Sequence, residues 1–240
     1  CKRNPNTRTF CAFKGHMQYI SAFDSIVRTE EGRTQYDLNR ALPSKRIRTG
    51  LQGSSAAVNV SLGEQRLQHM RDILESGFTW KRSKTQRRFH ESFLNACIRF
   101  LYAEDSNAPD YASILEKNAW TDLRQQCLCM TPRRFGKTVA VGMYVTALAL
   151  TCPCEQAIFS TGRRASSKLL ELVVTLLNQV HGASDRIVKS NQEMVWISHT
   201  SGRISKISSY PSCAKTLRGV GGDVVYMEEA GALNPFTLSA

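Results

Sequence analysis

The sequence predicts an α/β fold: a mostly parallel sheet flanked by helices, preceded by a basic N-terminal extension. Three observations predict it. From Trp120 onward, short β-prone apolar runs alternate with longer helical patterns, the rhythm of consecutive strand-helix-strand units. The 240 residues, 42% of them apolar and 22% charged, suffice for one sizeable core. The charge is also uneven, because residues 1–100 carry +10 of the net +12. A basic block of this size meets a polyanion through counterion release, or else is a solvated surface.

The elements follow in chain order. Residues 1–60 are rich in Arg, Asn, Thr, Ser and Gly and show no sustained period of 2 or 3.6, so they read as the extension; residues 61–240 read as the main domain. Leu62, Leu67, Met70 and Leu74 mark a helix that stops near Gly77. Phe89, Phe93, Leu94, Cys97, Ile98 and Leu101 form the stripe of a second helix, from Lys84 to Tyr102. Glu104 to Asp110 is a loop by composition. Gln126 to Met130 reads as a strand, Lys137 to Leu150 as a helix, Ala157 to Ser160 as a strand, and Arg164 to Val180 as an amphipathic helix. Met194–Ile197 and Ile204–Ile207 read as two strands turning about Ser201-Gly202. Asp223 to Met227 reads as a last strand that stops at Glu228-Glu229.

No stretch approaches the ~18 apolar residues of a membrane span, and Cys1-Lys2-Arg3-Asn4-Pro5 lacks the apolar core of a signal peptide. The first residue is Cys, not Met, which points to a piece of a longer chain. Among the eight cysteines, Cys127/Cys129 and Cys152/Cys154 have C-x-C spacing, unlike the C-x2-C of zinc ribbons, and read as small buried hydrophobes. His69, His90 and His181 have no neighbours at metal-ligand spacing and read as surface or helix-packing residues. Trp80, beside Lys81, Arg82 and Lys84, reads either as a base-stacking platform or as a partly buried anchor.

The chemistry concentrates in two segments. Thr131-Pro132-Arg133-Arg134-Phe135-Gly136-Lys137-Thr138 lies between a strand and a helix, where loop and helix N–H groups converge on phosphate oxygens. In this P-loop reading Lys137 reaches the β- and γ-phosphates of ATP and Thr138 ligates Mg²⁺ through its hydroxyl. Thr131 stands where the usual first Gly is expected. The second segment, Val224-Val225-Tyr226-Met227-Glu228-Glu229, has the form of a Walker B strand. Its first carboxylate, Glu228 in place of the usual Asp, holds Mg²⁺, and Glu229 orients or deprotonates the attacking water.

Together, Pro132 to Thr138, the helix after it, the Phe159-Ser160-Thr161 strand end, Leu217-Arg218-Gly219 and Tyr226-Met227-Glu228-Glu229-Ala230 resemble the ATPase domain of viral large terminase subunits. The double-Arg loop is closer to the herpesvirus type than to that of tailed phages. The resemblance covers about residues 80–240 and implies a P-loop NTPase that hydrolyses ATP to move double-stranded DNA into a procapsid. It implies that Arg133 contacts the γ-phosphate, which a forked guanidinium suits; Arg134 is its neighbour in the herpes-like loop. Arg218-Gly219 matches the Arg-Gly ahead of the Walker B strand. Gln86 reads either as an adenine-reading amide or as an exposed helix-start residue. The resemblance further implies a homo-oligomeric ring on a portal, contact with other terminase subunits, no membrane, and residence in the infected host cell, in the nucleus for a herpes-like virus.

In this ATPase class a strand from later in the chain lies between the P-loop and Walker B strands, and here 11 residues follow Glu229. The expectation is therefore a C-terminally truncated domain, without a nuclease domain, whose sheet has a gap and which folds poorly or is inactive alone. Two other classes stay open: a helicase-like nucleic-acid motor, and a degenerate nucleotide or DNA-binding module without catalysis.

Overall fold

The computed structural model describes residues 9–14, 60–106, 109–132, 134–211 and 222–228. It is an α/β structure with a mixed sheet. In chain order the strands and helices are β1 (Thr9–Lys14), α1 (Leu62–Ser76), α2 (Lys84–Leu101), α3 (Tyr111–Lys117), β2 (Gln126–Thr131), α4 (Lys137–Thr151) and β3 (Glu155–Ser160). They continue with α5 (Arg163–Leu177), β4 (Ile187–Ser190), β5 (Met194–Ser198), β6 (Ile204–Pro211) and β7 (Val224–Glu228). The seven strands lie in the order β2-β1-β7-β3-β6-β5-β4.

The sheet departs from the mostly parallel arrangement expected, because among the described residues only β7-β3 and β3-β6 are parallel neighbours. At one side the connections β4 to β5 and β5 to β6 are too short for a crossover, so those strands pair antiparallel. At the other side β1 runs antiparallel between β2 and β7, which are thereby parallel to each other. The gap expected between these two strands is filled from the segment read as an extension. Cys11 stands opposite Cys129 on one side and opposite Glu228 on the other.

Local sequence sets the helix starts. Ser61 caps α1, its hydroxyl accepting the Glu64 N–H at 3.2 Å. Ser83 and Gln86 form a reciprocal capping box on α2, and the Asp110 carboxylate caps α3. Helix α4 is apolar almost all round, and all but three of its residues are buried, as such a composition requires. It packs between α1, α2 and α5, and both α4 and α5 reach β6. A buried polar relay fixes β7 to its neighbours: the Tyr226 hydroxyl donates to Gln156 Oε1 at 2.8 Å, and Gln156 Nε2 donates to the Val145 carbonyl at 3.1 Å. Among the described residues no helix is long and apolar enough to cross a membrane.

Candidate functional site

Strands β2, β7, β3 and β6 point the same way, so their carboxyl ends share one edge of the sheet, where α/β sheets bind ligands. The 132–136 loop leaves β2 at this edge and enters α4. It is compact: the Phe135 N–H reaches the Pro132 carbonyl at 3.4 Å, and Arg134 (φ 65°) and Gly136 (φ 80°) adopt left-handed backbone. Gly136 is the N-cap of α4 and supplies no side chain, so the first turn presents its N–H groups without a side-chain acceptor. That turn favours negative charge through the helix dipole.

Lys137 opens α4 at 9% exposed, and no ion pair is formed by it among the described residues. Next to it, the Thr138 hydroxyl donates to Glu228 Oε1 at 2.7 Å, joining the first turn of α4 to the end of β7. The Ser160 hydroxyl, at the end of β3, reaches the other oxygen, Oε2, at 3.5 Å. Glu228 is 7% exposed, so this carboxylate is buried with hydroxyl partners on both oxygens. Hydroxyl and carboxylate oxygens are hard donors, of the kind that Mg²⁺ takes. Glutamate in place of the usual aspartate does not keep the carboxylate away from Thr138.

Helix α2 lies along the loop. The Gln86 side chain accepts the Ser83 N–H at 2.9 Å through Oε1 and donates to the Gly136 carbonyl at 3.4 Å through Nε2. Phe89 packs its ring 5.7 Å from that of Phe135. His90 is fully buried and its Nε2 lies 2.7 Å from the Ala140 carbonyl. A carbonyl only accepts, so Nε2 carries the proton and Nδ1 accepts from Arg82 at 3.0 Å. Burial pulls the His90 pKa down to about 4, with the Arg82 charge adding and the Ala140 bond opposing.

The predicted residues thus divide. Thr138, Glu228 and the opening of α4 come together, and Gln86 meets the loop at Gly136. Thr131 ends β2 opposite Thr9 in the register. Pro132 and Arg134 are exposed. Arg133, Glu229, Arg218 and Gly219 lie outside the described residues. Ser160 has a site contact that the sequence reading did not assign; its signal was a hydroxyl closing a buried strand. His90 has the helix-packing role expected of it, and Trp80 is 45% exposed. Cys127 and Cys129 share a strand face with sulfurs 3.3 Å apart. No group of three or more His, Cys, Asp or Glu residues arranged to hold a metal occurs among the described residues.

A second polar cluster resembles a serine-histidine pair without its chemistry. Arg186 donates to His199 Nδ1 at 3.2 Å, so Nε2 carries the proton and donates to Ser205 Oγ at 2.7 Å. The Ser205 proton goes to the Cys152 carbonyl at 3.1 Å. With its lone pair facing Arg186, His199 is no base for Ser205. Compared with known proteins, the chain matches no family model and no curated sequence.

Proposed function

We propose that this chain is the ATP-hydrolysing part of a viral DNA-packaging terminase, a P-loop ATPase that drives double-stranded DNA into a procapsid. The observation that carries the ATPase reading is the Thr138–Glu228 hydrogen bond of 2.7 Å between residues 90 positions apart. It brings the hydroxyl after the loop lysine to the carboxylate ending a parallel strand, beside a helix N-terminus with left-handed loop backbone. This is the juxtaposition that MgATP requires. The terminase assignment rests on the sequence resemblance.

In this reading the loop amides and the Lys137 ammonium hold the β- and γ-phosphates. Thr138 and Glu228 hold Mg²⁺, directly or through water, and Ser160 keeps Glu228 oriented. When bound, Mg²⁺ neutralises charge on the phosphate oxygens. Glu229 takes the proton of the attacking water and Arg133 forks onto the γ-phosphate. DNA is gripped through its phosphates, because a packaging motor accepts any sequence. The ring on a portal, the other terminase subunits and a host-cell site belong to the same proposal.

The test is MgATP hydrolysis by the chain with and without double-stranded DNA, beside Lys137→Ala and Glu229→Ala. The reading expects DNA-stimulated turnover that both variants lose by at least about a hundredfold, with Glu229→Ala still binding ATP. ATP binding without turnover in the wild type would convert the proposal to a binding module. DNA-strand separation would convert it to a helicase-like motor.

A further inference from the structure

We infer that Gln86 acts on the 132–136 loop and not on a nucleotide base: it is a positioning residue that holds Gly136 in its left-handed conformation. The consequence for turnover rests on the nucleotide reading above, whereas the geometry does not. A side-chain amide that reads a base edge presents both its carbonyl and its NH₂ to that edge. In Gln86 both ends are turned to the protein, Oε1 to the Ser83 N–H and Nε2 to the Gly136 carbonyl. Swinging the amide toward a base would uncap α2 and release Gly136 together. The contact is also close: a Cβ on Gly136 would lie 2.9 Å from Gln86 Nε2, so this side chain occupies the space beside the glycine.

Gln86 is the first of three contacts from one face of α2. Phe89 and His90 follow at i+3 and i+4, which places all three on the same side of the helix. They meet one short stretch of chain, Gln86 at Gly136, Phe89 at Phe135 and His90 at Ala140. The loop and the first turn of α4 are therefore aligned by α2, and Gln86 is the polar member that touches the residue with φ 80°.

Two variants separate the helix cap from the loop contact. Gln86→Glu keeps an acceptor for the Ser83 N–H, since Glu serves in a capping box, but removes the donor to Gly136. Ser83→Ala weakens the cap and leaves that donor in place. In the nucleotide-free chain, amide hydrogen exchange across residues 134–140 should rise about tenfold in Gln86→Glu and by less than about threefold in Ser83→Ala. Unchanged exchange in Gln86→Glu overturns the inference. With nucleotide present, Gln86→Glu and the uncharged Gln86→Leu should raise KM for MgATP and MgGTP by the same factor. A change in the ATP-to-GTP preference shows a base reader and overturns it as well. If the wild type binds neither nucleotide while exchange still rises in Gln86→Glu, the positioning role stands and the ATPase reading is the one that fails.

Discussion

His90 gives the protein an acid sensitivity that follows from one buried ring. Its folded pKa is lowered from 6.5 to about 4, chiefly by burial. Between those values the unfolded chain binds a proton that the folded chain refuses, so stability falls as pH drops from 6.5 toward 4 and is level above that window. The two ends differ by on the order of 3 kcal/mol for this residue. His199, partly buried, is shifted in the same direction. Urea midpoints measured between pH 7 and pH 4 should fall in the wild type and fall less in His90→Gln, whose amide can donate to Ala140 and accept from Arg82. Equal slopes in the two proteins would show that His90 does not carry the effect. At this scale the sequence was half legible. Thr138 and Glu228 stood out because each belongs to a contiguous motif. The contacts of Gln86 with Gly136 and of Ser160 with Glu228 join residues 50 and 68 positions apart, and no local pattern encodes them.

Between elements, two glycines predict opposite outcomes. Gly63, in the first turn of α1, lies against Tyr102, where an added Cβ would stand 2.3 Å from a ring carbon. Tyr102 is 4% exposed and has little room to withdraw. Gly63→Ala should therefore destabilise by about 2 kcal/mol despite its better helix propensity. Gly162 is the N-cap of α5, extended at φ −164°, with nothing within 4 Å of a built Cβ and no side-chain cap. Gly162→Ser should stabilise by about 0.3 kcal/mol by supplying the missing acceptor, since glycine is itself a tolerable N-cap. Thermal melts of the two variants check both signs. The helices and most strands were readable because their periodicity is strong: α1 and α2 start one residue after Ser61 and at Lys84, and β5 and β6 turn through Gly202 at φ 76°. Strand β4 escaped because Ile187-Val188-Lys189-Ser190 holds only two apolar residues, and its pairing is imposed by β5. Helix α3 is only seven residues long and has no fully buried residue, so it gives no stripe to read.

At the scale of the whole molecule the decisive element is β1. Thr9 to Lys14 contains only four consecutive apolar residues, and nothing nearby announces partners more than a hundred positions away. Its position makes this side of the sheet antiparallel and explains why β2 and β7 need not face an open gap. A proline in β1 removes a ladder donor from an interior strand, whereas Val188 is 59% exposed beside a bulge in the edge strand β4. Ala12→Pro should abolish cooperative melting or drive the protein into aggregates, and Val188→Pro should lower Tm by only a few degrees. Similar behaviour of the two variants would show that β1 is dispensable to the sheet.

The same interior strand sets a clock on biosynthesis. Cys11 and the residue it faces on β7, Glu228, are 217 positions apart. At about 5–20 residues per second, β1 waits on the order of ten to forty seconds for this neighbour. Until then β1 has no β7 to pair with, and the sheet cannot close from the N-terminus inward. Closure waits for β7, and until then the chain between β1 and β7 is exposed to chaperones and to other copies of itself.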